Sequence, residues 1–113
     1  MKAKVKDLTI EQLCEDSFKN AKEKGWHENF NIVEKLALIH SEVSEALEEY
    51  RWDKLNEYLE HGTKPCGFPS ELADIMIRVA DLAQYLKIDL NKAIVTKMEF
   101  NKTRAYKHGG KKC

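Results

Sequence analysis

The 113-residue chain is predicted to be all-α, and three observations carry that prediction. Apolar residues recur at helical spacing in four separate stretches, each preceded by a side chain suited to capping. No stretch alternates apolar and polar residues as a half-buried strand does. Helix breakers are concentrated between elements, chiefly in residues 61–70, which contain two prolines and two glycines.

Thr9 and Gln12 form a capping box and Gly25 is a stop. Between them Ile10, Leu13, Cys14, Phe18 and Ala21 line one side of a first helix, over roughly 10–24. Asn31 with Glu34 opens a second, long helix. Its apolar series Ile32, Leu36, Ile39, Val43, Ala46, Leu47 and Tyr50 keeps to one face, bordered by Glu42, Glu45 and Glu49. Residues 61–70 read as the main loop, and Ser70 is expected to cap a third helix running from Glu71 to Leu86. Apolar side chains lie on both flanks of that helix, which predicts burial nearly all round. Glu71, Asp74, Arg78, Asp81 and Tyr85 form a narrow polar seam set into it. Asp89 caps a last helix of about 90–103, on which Lys97, Asn101 and Arg104 share a face. The basic tail from Ala105 is predicted to be mobile.

The expected architecture is a single domain over 1–113 with a four-helix bundle-like protomer. A helix apolar on both flanks needs cover that three companions of this length scarcely provide, so a homodimer or homotetramer is expected. Nineteen acids balance nineteen bases, so no net field favours a nucleic-acid polymer or an anionic membrane as partner. Neither a membrane-length apolar run nor a secretory leader is apparent, which predicts a cytoplasmic protein. Cys14, Cys66 and Cys113 are odd in number and in no metal-binding pattern, and are expected to be reduced thiols.

Chemistry concentrates in two carboxylate pairs of equal spacing, Glu42 with Glu45 and Glu71 with Asp74. Residues three apart share a helix face, so packing the two helices together brings four negative charges toward one point. Glutamates on helices are ordinarily solvated, an explanation that suits Glu48, Glu57 and Glu60. It suits the third helix poorly, where an unpaired charge among apolar neighbours is costly. Arg78 paired with Asp74 or Asp81 would neutralise one acid and leave three. The all-oxygen set therefore points to Mg2+, for which Mn2+ can substitute. His27, His40, His61 and His108 are scattered and are assigned to surface or loop positions. The Lys97, Asn101, Arg104 face suits phosphate oxygens, against the simpler reading of an exposed basic helix end. Trp26 and Trp52 flank the acidic helix, where each suits either base stacking or core packing.

With these segments taken in order, the chain resembles the MazG-like nucleoside triphosphate pyrophosphohydrolases, relatives of dCTP pyrophosphatases and dimeric dUTPases. SEVSEALEEYRW matches that group's E-E-x-x-E helix, with Ser41 at the usual first glutamate. ELADIMIRVADLA matches its E-x-x-D helix, and KMEFNKTRAYKHGGKK its K, N and R segment. The resemblance implies hydrolysis of a nucleoside triphosphate, expected to be a dNTP, between the α and β phosphates, with Mg2+ held by Glu42, Glu45, Glu71 and Asp74. Glu42 and Glu45 are the expected catalytic carboxylates, Glu45 helping to deprotonate the attacking water. Lys97, Asn101, Arg104, Tyr106 and Lys107 are expected to grip the phosphates, and Trp26 and Trp52 to flank the base. The competing expectation is a non-catalytic helical dimerisation module whose acids make structural salt bridges.

Overall fold

A computed structural model describes residues 6–104 as four helices and one small hairpin: α1 (Ile10–Glu23), α2 (Ile32–Arg51), β1 (Tyr58–Glu60), β2 (Lys64–Cys66), α3 (Phe68–Tyr85) and α4 (Leu90–Lys102). The all-α class holds. The predicted caps of α1, α2 and α4 form through side-chain oxygens. Thr9 accepts from the Gln12 N–H, Asn31 from the Glu34 N–H and Asp89 from the Lys92 N–H, each at 3.0 Å.

Two local expectations fail between α2 and α3. Residues 58–66 form an antiparallel hairpin, with Tyr58 opposite Cys66 and Glu60 opposite Lys64. The connection is the three residues 61–63, in which His61 and Gly62 take positive φ and the Thr63 N–H donates to the Glu60 carbonyl at 3.2 Å, and strands of three residues are too short to display an alternating pattern. Ser70 does not cap α3. The helix starts earlier, at Phe68, with Gly67 at its N-cap and Pro69 in its first turn, and the Ser70 hydroxyl donates to Glu57 Oε1 at 3.3 Å.

Gly67 has φ +102°, and a Cβ there would collide with the Asn56 carbonyl oxygen. Gly67→Ala is therefore expected to cost about 3 kcal/mol and lower Tm by about 10 °C, read by thermal melting followed by circular dichroism. A loss of under about 2 °C would show that the hairpin yields freely.

Helix α3 is the centre. It packs against α1 on one side and α2 on the other, while the backbones of α1 and α2 make no close approach. Small residues bring the axes close: Cys14, Ser17 and Ala21 of α1, Ala46 of α2, and Ala80 and Ala83 of α3 are buried. Helix α4 leans on α1 and α3 and makes no close backbone approach to α2.

The expected all-round burial of α3 is not met within one chain, because Leu72, Met76 and Ile77 in its N-terminal half are exposed. Helix α2 departs further. Its inward face carries Lys35, Leu38, Ile39, Glu42, Ala46 and Glu49, while the apolar stripe of Leu36, Val43, Leu47 and Tyr50 faces outward. The radius of gyration, 16.7 Å, exceeds the roughly 13 Å of a compact domain of this length.

Candidate metal centre

Turning the acid-bearing face of α2 onto α3 gathers the predicted carboxylates. One oxygen from each of Glu42, Glu45 and Glu71 lies within 4.8 Å of the others. Asp74 stands outside this triple, one turn further along α3 and exposed, but close enough to feel the charge of Glu42. Glu42 is the deepest of the four, with its side chain only 9% exposed.

The group is electrostatically frustrated. Burial opposes ionisation of Glu42, but the Arg78 guanidinium, donating from Nε to Oε1 at 2.9 Å, holds its carboxyl below the ordinary range. Glu45 is raised by the adjacent Glu42 carboxyl and by burial. Glu71 is pushed up to about 7 by burial and by the charges of Glu45, Glu42 and Asp74. Asp74 is raised by burial and by Glu42, with Arg78 and Lys64 opposing. Glu42 Oε2 and Glu71 Oε2 are buried and meet no hydrogen-bond partner among the described residues. Orphaned carboxylate oxygens of this kind are costly unless protonated or bound by a cation. An all-oxygen donor set with two such oxygens fits a hard divalent ion.

Arg78 pairs with Glu42, not with Asp74 or Asp81 as the polar seam suggested. Its guanidinium also lies under the Trp26 indole, 5.5 Å from the ring centroid. Trp26 is held by its backbone. Its N–H donates to the Ala21 carbonyl at 2.9 Å, and its carbonyl accepts from Lys35 Nζ at 2.7 Å. The indole itself is half-exposed, beside an open cleft of about 320 Å3 lined by Gly25, Trp26, Lys35, Leu38 and Arg78 among others.

Other predicted residues fall elsewhere. Lys97 and Arg104 flank the Phe100 ring on α4, at 5.4 and 5.3 Å from its centroid, and Asn101 is exposed on the same helix. Among the described residues no hydrogen bond or ion pair joins any of these to the four carboxylates, and α4 makes no close backbone approach to α2. A shallow depression of about 640 Å3 along α4 includes Lys97 but no member of the acidic group. Trp52, at the C-terminus of α2, is 70% exposed, and its indole N–H donates to Glu48 Oε1 at 3.0 Å. Tyr106 and Lys107 lie outside the described residues.

Two features escaped the sequence reading. His27 is largely buried, contacting Asp81 through Nε2 at 2.8 Å and packing between Phe18 and Tyr85. Nothing in the local sequence marks it, because its partner is 54 residues away. Glu49, which the sequence placed beside Glu42 and Glu45 but not in the ligand set, also has Oε2 buried without a partner among the described residues.

No protein-family model matches the chain. Over 106 residues it is 30% identical to human dCTP pyrophosphatase 1, an alignment covering 88% of this chain and 61% of that protein. The chain thus spans about three-fifths of the relative it matches, and the similar region includes most of the residues described above. No described helix is long and apolar enough to cross a membrane.

Proposed function

We propose that the chain is a nucleoside triphosphate pyrophosphohydrolase of the all-α group, cleaving between the α and β phosphates to release a monophosphate and pyrophosphate. The observation that carries this reading is the convergence of Glu42, Glu45 and Glu71 with two orphaned, buried oxygens. Similarity to a dCTP pyrophosphatase supports it and makes dCTP the first dNTP to test.

In this reading Glu42, Glu45, Glu71 and Asp74 hold Mg2+, with Mn2+ as a substitute. The ion supplies charge neutralisation at the phosphate oxygens and acidifies a water. Glu42, kept ionised by Arg78, is the permanent anionic anchor. Glu45 is more exposed and its proton affinity is raised, so it takes the proton as the water oxygen bonds to the α-phosphorus and the bond to the bridging oxygen breaks. Lys97, Asn101 and Arg104, with Tyr106 and Lys107 from the tail, are assigned to the phosphates, and Trp26 and Trp52, near opposite ends of α2, to the base; one chain does not gather them, so a second copy would have to complete the set.

The working form is a homodimer or homotetramer. The outward stripe of Leu36, Val43, Leu47 and Tyr50 is the surface such an assembly would cover, and an apolar row of that length is unusual on a soluble monomer. Light scattering behind size exclusion should give at least twice the 13.1 kDa chain mass.

The decisive assay measures pyrophosphate and monophosphate from a panel of NTPs and dNTPs, with Mg2+ or with EDTA. Mg2+-dependent release of both products in equal amounts is expected. Folded protein that turns over no nucleotide would favour the dimerisation module, in which the Glu42–Arg78 pair is purely structural. Orthophosphate as the product would place the cut at another bond.

A further inference from the structure

In the proposed reaction Arg78 only keeps Glu42 ionised, but the structure gives it a second contact. It lies between the deepest carboxylate of the metal centre and the indole beside the adjoining cleft. Nε holds Glu42 Oε1 at 2.9 Å, while the guanidinium plane rests 5.5 Å from the Trp26 centroid. The Arg78 side chain is 27% exposed, so both attractions act partly out of water, where they are stronger. Glu42 is the one carboxylate with which Arg78 forms an ion pair among the described residues. Glu42 Oε2 is buried with no hydrogen-bond partner among the described residues, and one Glu42 oxygen lies within 4.8 Å of oxygens of Glu45 and Glu71.

A divalent cation at Oε2 competes with Arg78 for the same carboxylate. It withdraws negative charge from Oε1 and repels the guanidinium. The other electron-rich surface that the guanidinium already touches is the Trp26 ring face. The Trp26 backbone is tied to Ala21 and Lys35 and the next residue, His27, is held by Asp81, which fixes where the indole is rooted. A shift of the guanidinium toward the indole changes the charge felt by that ring.

We propose that Arg78 is a positioning residue that couples the metal centre to the Trp26 platform, so that cation binding at Glu42 is transmitted through one guanidinium to the indole beside the cleft. The inference rests on the metal-centre reading above and adds to it an order of events: the cation sets the platform before a nucleotide arrives. By linkage, whatever factor the cation applies to binding at Trp26, a ligand at Trp26 applies to the cation's affinity.

The test uses the full chain in a Trp52→Phe background, so that Trp26 is the sole tryptophan. Mg2+ alone, without nucleotide, is titrated while Trp26 emission is followed, and binding is measured independently by calorimetry. The expected result is a saturable emission change whose midpoint equals the calorimetric Kd. Arg78→Lys keeps a cation for Glu42 but removes the planar group under the indole; it should still bind Mg2+, with the emission change reduced about threefold or more. Arg78→Gln should reduce it further, and Arg78→Lys carries the test if that variant does not fold. An undiminished response in Arg78→Lys, or Mg2+ binding to the parent protein with no emission change, would overturn the coupling while leaving the metal centre intact. Absence of any Mg2+ binding to the folded parent would overturn the metal-centre reading and the coupling together.

Discussion

Glu42→Gln is expected to reduce nucleotide hydrolysis by on the order of a thousandfold and to abolish stabilisation by Mg2+, while leaving the protein folded. The substitution preserves shape, and the amide oxygen can still accept from Arg78 Nε, so the guanidinium is not stranded. What disappears is the negative charge of a carboxylate whose second oxygen is buried and unpartnered. In the parent protein, Mg2+ at a hundredfold excess over its Kd should stabilise by about 2.7 kcal/mol, roughly a 10 °C rise in Tm for a chain of this size. The variant should show no rise, and circular dichroism should report unchanged helix content. A Mg2+-dependent rise of equal size in both proteins would remove Glu42 from the ligand set. Glu42→Ala differs: it leaves Arg78 partly buried without its acceptor and should destabilise the metal-free protein by about 1–3 kcal/mol.

The second large effect is a reversal of the usual dependence of stability on pH. Glu71 is raised to about 7 in the folded protein, against an ordinary value of 4.5. Between those values the folded chain binds a proton that the unfolded chain has released, so stability falls as pH rises through this window. The favourable term is complete below pH 4.5 and lost above about 7. Glu45 and Asp74 are also raised and act in the same direction, while Glu42, which is lowered, acts oppositely and only at more acidic pH. Allowing for screening in a half-exposed cluster, the net change is about 2 kcal/mol. Melting in EDTA from pH 5.5 to 8.5 should therefore show Tm declining toward high pH, and Glu71→Gln should flatten the profile. Saturating Mg2+ should reverse the trend, since the cation competes with protons for the same oxygens. A metal-free Tm that rises across this range would contradict the frustrated state of the cluster.

The same cluster shows which parts of the molecule local sequence can reveal. Equal spacing of Glu42–Glu45 and Glu71–Asp74 identifies two faces, because the helical repeat alone dictates which residues are neighbours on one helix. Spacing does not say how two helices are rotated about their axes. The structure splits the apolar series of α2, with Ile39 and Ala46 turned toward α3 and Leu36, Val43, Leu47 and Tyr50 turned outward. Glu42 and Ala46 are buried against α3 while Leu36, Val43 and Leu47 face away. Arg78 likewise sits one turn from Asp74 and Asp81 in sequence but finds Glu42, 36 residues away, because helix packing overrides adjacency along the helix.

By itself, then, the sequence determined the helical class, the caps at Thr9, Asn31 and Asp89, and the two acid-bearing faces, all of which depend on interactions within about four residues. Only the tertiary structure decided that Glu71 joins Glu42 and Glu45 while Asp74 stands apart, that His27 is held by Asp81, and that Arg78 links Glu42 to Trp26. It also decided that the hairpin forms and that Gly67, not Ser70, begins α3. The physical reason is common to these cases. Each depends on the rotation and close approach of segments distant in the chain, which are set by where Ala80, Ala83 and Ala46 let the helices meet.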